Sequence, residues 1–470
     1  MTALPRAAAS EEDTTEAPPA GVWVAVAVLA GAQALAVMST TVVSVALPDI
    51  GRGLHASASA TLWIVDAYVI VYSALLVVGG TIGDRRGRKG VFMLGLVLFG
   101  AGSLADSLAP STGWLLAARV VQGLGPVFLV PGSLTIIRVM FADERRRAQA
   151  IGLWSTGSGL GMSAGPVVGG LIVAHLGWRW VFGFNVPLAA ILLLLTTRVI
   201  PRLPRGAVTR RLDWPGAVLV TGAIAALAFG LIEGNPLGWA SARVLAAFAV
   251  SAGALAAFIV RELRVPAPVV DVRLFRRPAF TASNLAALTV FFAFIGALVF
   301  LSEYFQQVKG DSPVGAGLRV AVLGVAFAVA APLSGRLVGR IGPRWPMLGG
   351  LVAAGVAMLG LVRLNAATGF ASVWWDFALG GAGVGLCLTP MTQIAVSAVE
   401  PARAGMASAV HNALRQFGQV LGVAVLGAII AVRGPVAGLH AAMWVSGVAL
   451  LAAAMLAGVL LRGVSRPVYG

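Results

Sequence analysis

The chain has 470 residues, 59% of them hydrophobic and only 11% charged, and its mean hydropathy is +0.91. That balance excludes an ordinary water-soluble domain, and a single cysteine, Cys387, excludes an internal disulfide or a cysteine-held metal. The net charge of +16 would suit a nucleic-acid binder, but the positions of the basic residues give it another cause.

Residues 1–20 are polar, acidic and Pro-containing, which predicts a disordered tail rather than a cleaved leader. Fourteen apolar segments follow, each near the roughly 20 residues needed to cross a hydrocarbon core of about 30 Å. They are 21–47, 60–82, 91–109, 114–139, 148–174, 179–199, 214–232, 242–262, 280–305, 315–339, 345–364, 372–397, 404–432 and 437–461. Backbone polar groups at that depth must be satisfied within the segment, so the spans are helices and the chain is an all-α polytopic membrane protein. Cys387 reads as a small buried residue of the twelfth span. With the N-terminus in the cytoplasm, 25 of the 34 basic residues fall in inner loops and tails, 7 in outer loops and helix ends, and Arg119 and Arg415 inside helices. This positive-inside bias accounts for the charge, removes the case for nucleic acid, and places both termini in the cytoplasm of a multi-pass cell-membrane protein.

The chain also echoes itself. Gly80-x-Ile82-x-Asp84-Arg85-x-Gly87, after the second span, returns as Gly335-x-Leu337-x-Gly339-Arg340-x-Gly342, and Arg147-Ala148 returns as Arg403-Ala404. The two offsets, 80 to 335 and 147 to 403, differ by one residue. They predict two six-helix halves, 21–199 and 280–461, around an inserted helix pair at 214–262. Cytoplasmic linkers at 200–213 and 263–279 and a tail at 462–470 complete the plan. Duplicated membrane halves of this kind form transport sites between the repeats near the midplane.

Three further motifs stand in the first half. Gly80 to Lys89 combines tight-turn glycines with Asp84, Arg85 and Arg88, a charged loop able to exchange partners. Arg119-Val120-Val121-Gln122-Gly123 puts an arginine inside the fourth span, where it needs an interior partner. Gly161-x-x-x-Gly165-Pro166-x-x-Gly169-Gly170 permits close packing and bending of the fifth span. Together these resemble motifs A, B and C of the major facilitator superfamily, in its 14-helix drug:proton antiporter branch. The resemblance runs from about Val37 to Val425 and includes Trp178 to Pro187, Gln306 to Gly317, and Gly405 to Gly418. It implies the major facilitator fold, a conformational latch at Asp84, protons as the coupling ion, no other cofactor, and a monomer working in the bilayer. One departure is that Ser39 and Ser44 stand where the branch usually has Asp and Asn, so a proton site cannot be carried over to Ser39.

The remaining interior groups have to supply that chemistry. Asp66 lies six residues into the second span, and Arg119 reaches a similar depth in the fourth, so a pair between them is expected, static or proton-cycling. His411, one turn from Arg415 in the thirteenth span, is a packing residue or a second proton-coupling candidate. Ser39, Trp63, Tyr68, Asn284, Gln306, Gln393, Asn412 and Gln416 are candidates for a substrate cavity. Glu303 and Asp376, near outer span ends, are expected at headgroup level, and Asp106 is read as a helix-end acid.

The expected function is export of an amphipathic small organic molecule, such as a drug or antibiotic, by alternating access and driven by inward proton flow. Few interior acids favour a neutral or weakly anionic substrate. Import of a metabolite, or coupling to another ion, stays open on the same fold. A membrane-embedded enzyme or receptor would need a nucleophile–base pair, a metal cluster or a soluble domain, and the sequence offers none.

Overall fold

The computed structural model describes residues 20–141, 143–201, 213–265, 268, 270–400 and 403–462. Its helices are α1 (Ala20–Leu54), α2 (Ala58–Arg86), α3 (Arg88–Ser107), α4 (Thr112–Met140), α5 (Glu144–Leu176), α6 (Trp180–Gly183), α7 (Asn185–Val199), α8 (Trp214–Leu237), α9 (Ala242–Arg264), α10 (Pro278–Gln307), α11 (Pro313–Ile341), α12 (Arg344–Gly360), α13 (Trp374–Ser397), α14 (Ala404–Arg433) and α15 (Pro435–Leu460). Counting α6 and α7 as one span, fourteen helical segments among the described residues are long and apolar enough to cross a membrane. The chain alternates between a basic end, where α2 meets α3 and α11 meets α12, and an opposite end.

Local chemistry sets the helix starts. Ser57, Ser111, Asp143, Asp213, Ser241 and Ser312 each accept from the backbone N–H three residues on, filling an otherwise orphaned donor. Gly87 and Gly342 occupy equivalent places in the echoed motifs. Both take a positive φ, +106° and +77°, to turn the chain between successive helices.

Two boundaries differ from the sequence expectation. The first span was expected to stop at 47, before Pro48, but α1 continues to Leu54. Proline removes one backbone donor; burial of Ile50 and the approach of Gly53 to Trp178 carry the helix past it. The sixth span breaks at Phe184, because Pro187 cannot donate back into the preceding turn and favours a new helix start.

Helices α1–α7 pack into one bundle and α10–α15 into another. Their internal packing repeats. In the first bundle α5 lies on α1, with Gly157, Gly161, Gly165 and Gly169 directly against α1 backbone or Thr41. In the second, α14 lies on α10, with Gly418 and Gly422 against the Leu288 and Phe292 carbonyls. Side chains at these positions would hold the helices apart. Between the bundles, α5 packs on α11 and α14 packs on α2.

Helix α8 bridges α2 and α14, while α9 packs chiefly on α8 and buries little besides Val244, Ser251, Phe258 and Glu262. At the basic end Asp213 caps α8 and pairs with Arg261 at 2.7 Å. Burial alone would raise the Asp213 carboxyl, but the Arg261 guanidinium and the Gly216 amide hold it below the ordinary aspartate value. The segment after α9 is tied to the second bundle by Asp271–Arg403 at 2.8 Å and by Arg277 donating to the Ala398 carbonyl at 2.7 Å.

Candidate functional site

Arg119 is fully buried on α4 at the heart of the first bundle. Its Nε donates 2.8 Å to the Ile64 carbonyl on α2, and its Nη1 donates 2.5 Å to Gln122 Oε1. Gln122 in turn donates 2.7 Å to the Ser103 hydroxyl on α3. The guanidinium stacks 4.4 Å over the Tyr68 ring, whose hydroxyl donates 3.0 Å to the Ala36 carbonyl on α1. One arginine thus cross-links four helices, α1 to α4.

The expected Asp66–Arg119 pair is not formed. Ile64 turns its carbonyl to Arg119, and two residues further along a helix is a rotation of about 200°, so Asp66 leaves by another face. It shares that face with Leu62, one turn away, and Leu62 lies against Gly427 of α14. Asp66 is fully buried and neither carboxyl oxygen has a hydrogen-bond partner. The helical register thus puts it on the side of α2 that faces α14. Nearby, Trp63 donates 2.9 Å to Glu233 on α8, and Asn235 of α8 donates 2.8 Å to the Ala428 carbonyl on α14.

The acid that comes opposite Arg119, in the register of α3 against α4, is Asp106, read from the sequence as a helix-end residue. It too is fully buried with both oxygens unpartnered. The sequence held a signal for it: Phe92, Leu96, Phe99, Ser103 and Asp106 form one helical stripe, and all five are buried.

More of the polar candidates gather at the bundle interface. Arg415 stacks 4.3 Å over Phe291 and donates 3.2 Å to Asn412, which donates to Ser408. Gln416 accepts from Gln419 and faces the hydroxyl of Tyr72 across on α2. Gln306 donates 2.9 Å to the Val45 carbonyl, tying α10 to α1 near the opposite end. Ser39 is buried on α1 with its hydroxyl unpartnered, and Gln33 reaches Ser158 on α5 at 2.9 Å. Gln393 is half-buried on α13. Tyr72, Gln33 and Gln419 were not among the sequence candidates, because nothing in a single apolar helix marks which of its faces meets the other bundle.

His411 lies inside the second bundle rather than at its interface. Its Nδ1 is 3.3 Å from Asn284 Oδ1 and its Nε2 is 3.3 Å from the Thr392 hydroxyl, and the residue is fully buried. Asn284 also donates 2.8 Å to the Phe280 carbonyl, so this network is closed on itself. Asp376, expected at headgroup level, is instead buried and paired with Arg363 at 2.6 Å, and Glu303 accepts from Gln307 at 2.8 Å. Cys387 is buried, as expected, with its thiol 3.4 Å from the Met347 carbonyl.

In the Gly80–Lys89 loop the side chain of Asp84 lies outside the described residues. Gly80 approaches Pro131 of α4, Arg85 lies in the last turn of α2, and Arg88 opens α3 just beyond Gly87. Lys89 donates 2.9 Å to the Thr197 carbonyl and 2.5 Å to that of Ile200, placing a cation on the C-terminal end of α7.

Among the described residues α5 and α11 touch from the opposite end to past their middles, where Gly159 meets Ala328. From the opposite end inward, Gly170 meets Pro313 and Val314, Pro166 meets Gly317, and Ser163 donates 2.6 Å to the Gly324 carbonyl. Gly335 lies on the same face of α11 as Gly317, and Gly152 on the same face of α5 as Gly159. Both have open space beside them. The interface is closed at the opposite end and parts toward the basic end.

The sequence model of the Major Facilitator Superfamily matches residues 29–423 and, again, 285–469. The Multidrug resistance protein Stp of Mycobacterium tuberculosis is 37% identical over 396 residues, covering 84% of this chain and 73% of its own. The Methylenomycin A resistance protein of Streptomyces coelicolor is 37% identical, covering 87% and 85% of the two chains. The Tetracenomycin C resistance and export protein of Streptomyces glaucescens is 34% identical, covering 87% and 76%. Among solved structures, a bacterial homologue of the human lysosomal transporter Spinster, inward-facing and unoccupied, superposes with a TM-score of 0.67 at 20% identity, over 95% of this chain and 98% of its own. A POT family transporter bound to a thioalcohol-conjugated peptide gives 0.71 at 16% identity, over 94% and 96%. These two carry the fold alone. The family-wide match and the relatives together make this chain a member of the Major Facilitator Superfamily.

Proposed function

We propose that the protein exports amphipathic small organic molecules of the antibiotic type from the cytoplasm, exchanging each for protons that move inward. The observation that carries the reading is Asp66, a fully buried carboxyl without a partner at the junction of α2 and α14. An ionised carboxylate left bare in such a place costs several kcal/mol. Proton uptake from the opposite side removes that cost while the carboxyl is buried, and opening toward the basic end lets the proton leave. A proton arriving from outside and leaving at the basic end is thereby coupled to the exchange of conformations.

The basic end is the cytoplasmic one in this account, consistent with the positive-inside bias. Substrate enters there, where the bundles part, and meets Arg415, Asn412, Gln416, Tyr72 and Gln33 with aromatic surface from Phe291. Such a lining of one cation, several amides and an aromatic ring suits a neutral or weakly anionic amphipath better than a cation. The protein acts as a monomer on a transported molecule and carries out no covalent chemistry. Export assays in cells should use methylenomycin A and tetracenomycin C, named by the relatives, beside a wider antibiotic panel, with and without a proton uncoupler. The expected result is lower accumulation of at least one compound, abolished by the uncoupler. Uptake in place of export, or export indifferent to the uncoupler, would overturn the reading.

A further inference from the structure

Asp106 has no part in the reading above, yet it is a buried acid at the centre of the first bundle. The register of α3 against α4 fixes what it faces. Gly102 lies against the backbone of Gln122, and Ser103 accepts from the Gln122 side chain at 2.7 Å. The helices run antiparallel, so three residues beyond Ser103 on α3 comes opposite three residues before Gln122 on α4: Asp106 opposite Arg119. Both side chains are fully buried. Both also have hydrogen-bonding capacity unfilled, at the two Asp106 oxygens and at Arg119 Nη2. Asp106 is the one acid on α3, and Asp66 leaves α2 by a different face.

The surroundings sharpen this. From α2 the titratable neighbours are Tyr68, under the guanidinium, and Asp66 on the far side; from α4 there is Arg119 alone. Arg179, from the turn before α6, donates 3.1 Å to the Ala109 carbonyl just past Asp106 and stacks on Trp178. Helices α6 and α7 bring no titratable side chain to this end. Asn185, at the start of α7, is buried with its amide unpartnered.

We infer that Asp106 is the positioning residue for Arg119: its carboxylate balances the guanidinium from α3, so that Arg119 can hold the Ile64–Tyr68 turn of α2 while Asp66 keeps no counter-ion of its own. Removing one member of a buried charge pair is far more damaging than neutralising both. Only the consequence for proton exchange rests on the assignment of Asp66; the pairing stands separately.

The test uses the full-length protein purified in detergent and then reconstituted. Asp106→Asn and Arg119→Gln should each lower the melting temperature, and the double variant should recover at least half of the summed loss, as coupled sites do. Asp106→Glu, which keeps the charge, should melt near wild type. In proteoliposomes, Asp106→Asn should move the pH profile of methylenomycin A export, or of whichever panel compound the wild type exports, to lower pH by about one unit, because the unbalanced Arg119 cation then acts on Asp66. Additive melting losses with an unmoved pH profile would overturn the inference. If Asp106→Asn cannot be purified, recovery of folded protein in the double variant supports it and failure of the double variant overturns it. Full pH-driven export by Asp66→Asn would remove the Asp66 assignment, and the melting cycle would then decide the pairing by itself.

Discussion

The two bundles are alike in how their helices pack and unlike in what they bury. Glycines seat α5 on α1 and, in the same manner, α14 on α10. Yet the first bundle leaves both oxygens of two fully buried carboxyls, Asp66 and Asp106, unpartnered, whereas the second bundle pairs its buried Asp376 with Arg363 and links His411 to Asn284 and Thr392. Packing was duplicated and the chemistry was not. A transporter needs both properties: two rigid bodies that rock on matched surfaces, and a titrating group in at least one of them whose comfort depends on the rocking.

The largest expected effect sharpens the difference at the basic end. If the Gly80–Lys89 loop is the conformational latch that the family resemblance implies, Asp84→Ala should abolish export while leaving membrane insertion and melting near wild type. Wild-type export rates in that variant would remove the latch role. The shared packing is tested next. Gly165→Leu would drive a side chain into Thr41 and Gly418→Leu one into the Leu288 carbonyl, so each should cost about 3 kcal/mol or more and lower protein yield to a similar degree. A tolerant Gly418→Leu beside a failed Gly165→Leu would break the symmetry claimed for the bundles.

His411→Ala comes third. It leaves Asn284 and Thr392 with a lost partner and should cost about 1–3 kcal/mol of stability without moving the pH profile of export. A moved profile, or a changed ranking of exported compounds, would bring His411 back to the transport path. The smallest effect concerns the inserted pair. Asp213→Ala removes a helix cap worth about 1 kcal/mol. Since the folded carboxyl sits below its ordinary value, the charge-dependent part of its stabilisation is present above about pH 4 and lost as pH falls through the folded value. Melting curves of wild type and variant should therefore approach one another in acid.

Span number and repeat were legible because hydrophobic length and motif spacing are properties of one segment at a time. The glycines from Gly161 to Gly170 were legible for the same reason, and they lie at close helix contacts, with α1 and α11. The pairings were not. Asp66 and Arg119 have matching depths, but the face each presents depends on helix rotation, which a 3.6-residue period fixes only relative to neighbours. Asp106 was passed over because a polar residue near a span end is usually solvated, although the buried stripe ending at it marked its face. His411 and Asn284 are 127 residues apart, and only the approach of α10 to α14 makes them partners.

The central claim is that Asp66 is the group whose protonation follows the closing of the α2–α14 junction. Asp66→Asn in proteoliposomes measures it most directly, since the amide keeps size and hydrogen bonding while removing the charge. Export driven by an imposed pH gradient should fall at least about 100-fold, the lower range for removing an essential proton-transfer group. Binding of the same compound to the purified variant should stay within a few-fold of wild type. Undiminished pH-driven export by Asp66→Asn would contradict the account.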